Sequence, residues 1–177
     1  MYESFGEDTP AMAVVQGVNL TGITAIVTGA SSGIGVETVR ALAKVGARCI
    51  ICARDMTKAK EVADDIIKTT GNKNIQIEKL ELDSLASVNA FVQRFLASQL
   101  PLHILINNAG VMACPKSYTK DGFETQFGTN HMGHFALTLG LMPALKMAAK
   151  ITDKKARVIN VSSSAHALSS VDFRYEY

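Results

Sequence analysis

Cysteine is scarce in this chain. Cys49, Cys52 and Cys114 are its three thiols among 177 residues, too few for a disulfide scaffold. A reducing compartment fits, and the expectation is a cytoplasmic protein. Charge of one sign is lacking too: 18 Lys+Arg against 16 Asp+Glu leave a net +2. That balance points to neither nucleic acid nor an anionic membrane surface. Aromatic residues make up 6% of the chain, and none is interleaved with the basic stretch Lys150–Lys155 and Arg157. Base-stacking contacts of a nucleic-acid site are therefore not expected there. No apolar run is read as reaching the roughly 20 residues of a membrane helix, so no membrane segment is expected. The first ten residues, MYESFGEDTP, are acidic and polar, unlike a secretory leader or an Arg-rich transit peptide.

What is present is a globular composition, with 47% hydrophobic and 19% charged residues. Residues 1–20 read as a polar lead-in. From Thr21 onward, β-branched apolar runs alternate with longer segments of helical spacing. The runs are Ile23–Thr28, Arg48–Cys52, Ile75–Leu80, His103–Ile106 and Arg157–Val161. The helical segments are Gly33–Val45, Asp55–Thr69, Leu85–Gln99 and Gly122–Lys150. This alternation predicts an α/β fold, a Rossmann-like doubly wound parallel sheet of about five strands, incomplete at its C-terminal end. Gly46 and Gly71 sit where helices end, and Pro143 is expected to kink or shorten the fourth helix.

The first strand runs directly into Thr28-Gly29-Ala30-Ser31-Ser32-Gly33-Ile34-Gly35, and a helix follows. Glycines admit a tight turn and close approach of a phosphate, and the helix N-terminus presents N–H groups and partial positive charge. The spacing G-x-x-x-G-x-G is looser than the G-x-G-x-x-G dinucleotide fingerprint. The second strand ends Cys52-Ala53-Arg54. An Asp or Glu at that tip would favour a ribose 2′-OH, whereas Arg54 suits a 2′-phosphate. The expected cofactor is NADP(H), with NAD(H) second.

Further motifs fall where strands meet helices: Leu82-Asp83-Ser84, Asn107-Asn108-Ala109-Gly110, Asn130-His131-Met132-Gly133-His134-Phe135 and Ser162-Ser163-Ser164. Together with T-G-x-x-x-G-x-G they resemble the short-chain dehydrogenase/reductase superfamily. The N-H-x-G-H-F form, the C-A-R strand end and the lead-in A-x-x-V-x-x-G-V-N-L-T-G look most like its retinol dehydrogenase and WW-domain oxidoreductase-like branch. The likeness covers about residues 10–172. It implies that Gly29, Ala30, Ser31, Ser32, Gly33, Ile34 and Gly35 surround the cofactor phosphates and that Asp83 meets the adenine edge. Asn108, Ala109 and Gly110 would line the ribose. Asn130 matches the family's catalytic asparagine, in a locally kinked helix, and Ser163 the serine that holds the substrate oxygen; Ser162 and Ser164 are alternatives. The implied activity is hydride exchange with a carbonyl or alcohol, and substrates of the branch include retinoids, steroids and other lipophilic carbonyls.

The family's Tyr-x-x-x-Lys acid/base pair is not found. Tyr175 and Tyr177 stand too near the end to have a lysine four positions on. The expectation is an NADP-binding Rossmann domain over 21–177 that stops before its catalytic pair, keeps a partial cofactor site, is inactive alone and lacks half of the usual dimer interface. The other reading is a non-catalytic protein that binds a nucleotide or a partner. Cys49-x-x-Cys52 could suggest a metal or redox motif, but within a strand residues three apart face opposite sides, so buried thiols are expected. His131 and His134 lack a third ligand, and no metal is expected. His103 and His166 are read as structural or surface residues.

Overall fold

In the computed structural model, residues 5–6, 8–152 and 155–167 are described; Tyr175 and Tyr177 lie outside them. After a short helix α1 (Ala11–Val14), strands and helices alternate: β1 (Thr24–Thr28), α2 (Ile34–Lys44), β2 (Arg48–Ala53), α3 (Met56–Thr70), β3 (Ile75–Lys79), α4 (Leu85–Ala97) and β4 (Ile104–Asn107). There follow α5 (Thr125–Phe127), a π-helical turn (Gly128–Met132), α6 (Gly133–Thr152), β5 (Arg157–Asn160) and a 3₁₀ turn (Ser164–Ala167). The sheet is parallel throughout, with strand order β3-β2-β1-β4-β5. This is the Rossmann-like α/β arrangement expected from the alternation.

The central strands are apolar on both faces because helices cover both. β1 is buried at all five positions. Alternate residues serve opposite cores: Ile26, Ile50 and Leu105 join α4 and α6 on one side, and Val27, Ile51 and Ile106 join α2 and α3 on the other. Cys49 and Cys52 divide in the same way, which is why the C-x-x-C spacing brings no sulfurs together. Burial pushes the Cys49 thiol up to about 12 and raises Cys52 as well, so neither supplies a thiolate at neutral pH. His103 is also structural: its Nδ1 accepts the Thr24 N–H at 3.0 Å.

Local chemistry sets the helix ends. Asp55 caps α3, its Oδ1 accepting the Lys58 N–H at 3.0 Å, and Ser84 caps α4 through the Ser87 N–H at 3.3 Å. The fourth helical region starts later than the spacing predicts, at Thr125, because Glu124 caps it with both carboxylate oxygens, at 2.9 Å from the Gln126 N and 2.8 Å from the Phe127 N. Pro143 does not end α6. The carbonyl it leaves without a helical donor belongs to Leu139, which is 55% exposed, so water can satisfy it. The departure from α geometry comes earlier, at Gly128–Met132. β5 is exposed at all four positions, and among the described residues no strand lies beyond it.

By length and composition, the segment Thr125–Thr152 is long and apolar enough to cross a membrane, contrary to the sequence expectation. Its apolarity has a local use: Leu137, Leu141, Ala144, Leu145 and Ala148 are buried, the leucines and Ala144 in the core shared with α4.

The two faces of α6 give a paired test. Leu141→Ala opens a cavity at a fully buried site and should cost ~2–5 kcal/mol, lowering the thermal midpoint by roughly 10 °C. Leu139→Ala, about 200° around the helix and half-exposed, should change stability by less than ~0.5 kcal/mol. Thermal unfolding followed by circular dichroism would check both.

Candidate functional site

The strand order reverses between β1 and β4, and both strands point their C-terminal ends at the same crevice, the position where open α/β sheets bind ligands. A cleft of about 460 Å³ lies there, formed by the β1–α2 loop, the ends of β2 and β3 and the β4 turn. Gly29, Ser31, Ser32, Gly33, Ile34, Gly35, Arg54, Asp83, Asn108, Ala109 and Gly110 all line it. Ala30 does not. It is fully buried in the α2/α3 core, because the turn rotates its methyl inward while its neighbours face the cleft. Gly29 has φ of 65°, and a Cβ there would stand 2.8 Å from the Ala109 Cα, so the loop closes on the β4 turn only with glycine.

Two features of this cleft concern ligand chemistry. Asp83 Oδ1 is buried and has no hydrogen-bond partner among the described residues, an acceptor waiting for a donor. At the β2 tip, Asp55 is already committed to capping α3. Arg54 and Lys58 also line the cleft, and neither side chain has an ion-pair partner among the described residues. The tip therefore presents positive charge.

A second cleft of about 670 Å³ continues from the first across Asn108–Val111. Asn130, Ser162 and Ser163 line it; Ser164 does not. The Asn130 side chain is clamped from both ends by one peptide: its Oδ1 accepts the Val111 N–H at 2.9 Å and its Nδ2 donates to the Val111 O at 2.8 Å. The local kink implied for Asn130 takes the form of the π-turn. Gly133 lets that turn approach the end of β3, since a Cβ there would run into the Leu82 carbonyl. Ser163 is exposed, and its Oγ accepts the Ala165 N–H at 3.2 Å. His131 stacks near Phe127 and Phe135, with ring centroids 5.1 and 6.2 Å away. Among the described residues no group of three or more His, Cys, Asp or Glu could hold a metal ion.

The residues that join the two clefts are ones the motifs contained without marking. Thr28 Oγ1 lies 2.8 Å from His134 Nε2 and accepts the N–H groups of Asn108 at 2.9 Å and Ala109 at 3.0 Å. The Asn108 Nδ2 donates back to the Thr28 carbonyl at 2.8 Å. His134 Nδ1 lies 2.8 Å from the Asn130 carbonyl. A carbonyl only accepts, so Nδ1 carries the proton, Nε2 of the neutral ring accepts, and the Thr28 hydroxyl donates. Burial holds the His134 pKa below its ordinary value, with the nearby His131 acting in the same direction. The second histidine of the N-H-x-G-H-F motif was the available signal.

The sequence model of the family described as short chain dehydrogenase matches residues 23–174. Retinol dehydrogenase 12 of Mus musculus is 49% identical over 156 residues, covering 88% of this chain and 48% of that protein. The short-chain dehydrogenase TIC 32 B, chloroplastic, of Brassica napus is 43% identical over 162 residues, covering 92% of this chain and 51% of that protein. Among solved structures, the Pseudomonas aeruginosa RhlG/NADP active-site complex superposes with a TM-score of 0.71 at 31% identity, covering 93% of this chain and 60% of that one. The chain spans about half the length of the curated relatives it matches. The chloroplast relative overturns the cytoplasmic placement: it had rested on the few cysteines and the lack of a recognisable leader, and neither assigns a compartment.

Two tests follow from the buried network. Thr28→Val leaves His134 Nε2 and two backbone N–H groups without their partner. At ~1–3 kcal/mol for the buried His134 acceptor and less for the two part-buried amides, the urea midpoint should fall by the equivalent of at least ~1 kcal/mol. The second concerns pH. Burial lowers the pKa of His103 and His134 from 6.5, so the unfolded chain binds more protons below that value. This contribution is fully present above pH 6.5 and is lost as pH falls toward the folded pKa values. Urea midpoints measured between pH 7.5 and 5.5 should therefore decrease.

Proposed function

The chain belongs to the short chain dehydrogenase family, in its retinol dehydrogenase-like branch, and from that premise we propose that its two joined clefts hold NADP(H) for oxidoreduction of a lipophilic carbonyl or alcohol. The observation that carries the cofactor reading is the β2 tip. Its carboxylate, Asp55, is engaged as a helix cap, while the Arg54 guanidinium and Lys58 ammonium remain to meet a 2′-phosphate. The rest of the cleft suits the same molecule. The buried, unpartnered Asp83 Oδ1 would accept from the adenine amino group. The loop Gly29–Gly35 at the start of α2 would receive the phosphates.

When bound, the cofactor would supply or take up the hydride exchanged with the substrate carbon. Asn108, Ala109 and Gly110 would carry it from the first cleft to the second. There Ser163 would hydrogen-bond the substrate oxygen, and Asn130, fixed by Val111, would order a proton path. A retinoid or steroid would suit the branch. These 177 residues contain no Tyr-x-x-x-Lys: the residue four positions after Tyr2 is Gly6 and after Tyr118 is Gly122. We expect this chain to bind cofactor without turning substrate over.

Fluorescence titration tests the cofactor assignment. NADPH should bind saturably and about tenfold tighter than NADH, and Arg54→Ala should remove most of that difference, a change of ~1.4 kcal/mol. Equal affinity for the two cofactors, or an Arg54→Ala variant that keeps the preference, would overturn the assignment.

A further inference from the structure

We propose that His134 is a positioning residue that ties the Asn130 carbonyl to the cofactor-binding turn. The inference rests on the cofactor reading above and deepens it.

Each atom of the path Asn130 O, His134 Nδ1, His134 Nε2, Thr28 Oγ1 has a role forced by its neighbour. The Asn130 carbonyl can only accept, so His134 must donate from Nδ1, at 2.8 Å. The ring is then left with an acceptor at Nε2, which faces the Thr28 hydroxyl at 2.8 Å. Once Thr28 donates there, both of its lone pairs are free for the N–H groups of Asn108 and Ala109, at 2.9 and 3.0 Å. The opposite tautomer would put an N–H group against the Thr28 oxygen and a lone pair against the carbonyl. Thr28 would then have to turn its proton to the Ile106 carbonyl, 3.5 Å away, at the limit of a hydrogen bond.

Position makes this path more than a core contact. His134 is 5% exposed yet lines the second cleft beside Asn130. Thr28, Asn108 and Ala109 line the first. The imidazole is thus the hydrogen-bonded bridge between the π-turn that presents Asn130 and the turn on which the cofactor is to rest. A shift of Ala109 is transmitted through Thr28 and the ring to the Asn130 carbonyl, because no bond in the series can reverse direction without breaking its neighbour. Phenylalanine would fill the space and transmit nothing. Glutamine can place an acceptor near Nε2, and asparagine a donor near Nδ1, so these variants each keep one half of the bridge.

The test uses the full 177-residue chain. NADPH and 2′,5′-ADP are titrated against the wild type and the variants His134→Phe, His134→Gln and His134→Asn. Long-range ¹H–¹⁵N correlation of the imidazole is recorded at pH 7.5. The expected tautomer in the wild type has its proton on Nδ1, and its resonances move when NADPH is added. His134→Phe should weaken NADPH about tenfold while changing 2′,5′-ADP less than threefold, since the adenosine half is held elsewhere. His134→Gln, which keeps the Thr28 acceptor, should recover most of the NADPH affinity; His134→Asn should not. An Nε2–H tautomer, or equal changes in both ligands, would overturn the positioning role. If His134→Phe does not fold, the wild-type tautomer and its response to NADPH decide. Failure of the wild type to bind either ligand would instead refute the cofactor reading itself.

Discussion

A single hydroxyl holds the functional end of this molecule together. Thr28 closes β1, and its oxygen makes one donated and two accepted hydrogen bonds, the full capacity of the group. Those bonds reach a ring on α6 and two amides of the turn after β4. Three elements distant in sequence are thereby fixed at one point, where Thr28 and the His134 ring are buried. The glycine loop closes over the same point because Gly29 lets its backbone meet Ala109. Ligand-facing surfaces on both sides of the sheet's reversal thus share one support.

The sheet makes that convergence possible. A parallel arrangement sends every strand's C-terminal end to one rim, and residues alternating between two cores leave the strand ends as the place where polar groups gather. Asn107 illustrates this: it is buried, and its amide donates to Thr138 and to Asn160 on β5, at 3.1 and 2.8 Å. The apolar helix α6 pays for its length with one face in the core, while Phe135 and Leu139 remain exposed on its other side.

Most of the architecture was legible in the sequence because strand and helix differ in period and because turns carry their own chemistry. The five apolar runs became the five strands, with ends shifted by a residue. The glycine loop, Arg54, Asp83 and the Asn108–Gly110 turn could be placed in one cleft because strand–loop–helix order puts them at one rim. What the sequence did not reveal depended on contacts between distant residues. Nothing local tells that Ala30 turns inward, since the rotation is imposed by Gly29 and Gly35 packing on the β4 turn. Thr28 and His134 are 106 positions apart, and no periodicity joins them. Pro143 does not shorten the long helix, which runs on to Thr152, and the carbonyl it leaves without a helical donor, that of Leu139, lies on an exposed residue. The start of the long helix was set by Glu124, whose capping role needs both oxygens and is invisible to a hydropathy pattern.

The carboxylate of Asp55 has a consequence for how this scaffold could change its ligand. It stands one residue beyond Arg54, close to where an acidic group would greet an unphosphorylated ribose, yet it is tethered to the first turn of α3. Releasing it would cost α3 its N-terminal cap, ~0.5–2 kcal/mol of stability. A drift in nucleotide preference along this lineage would therefore need a replacement for the cap before, or together with, any change at the tip. The helix start and the charge at the tip meet in the same side chain.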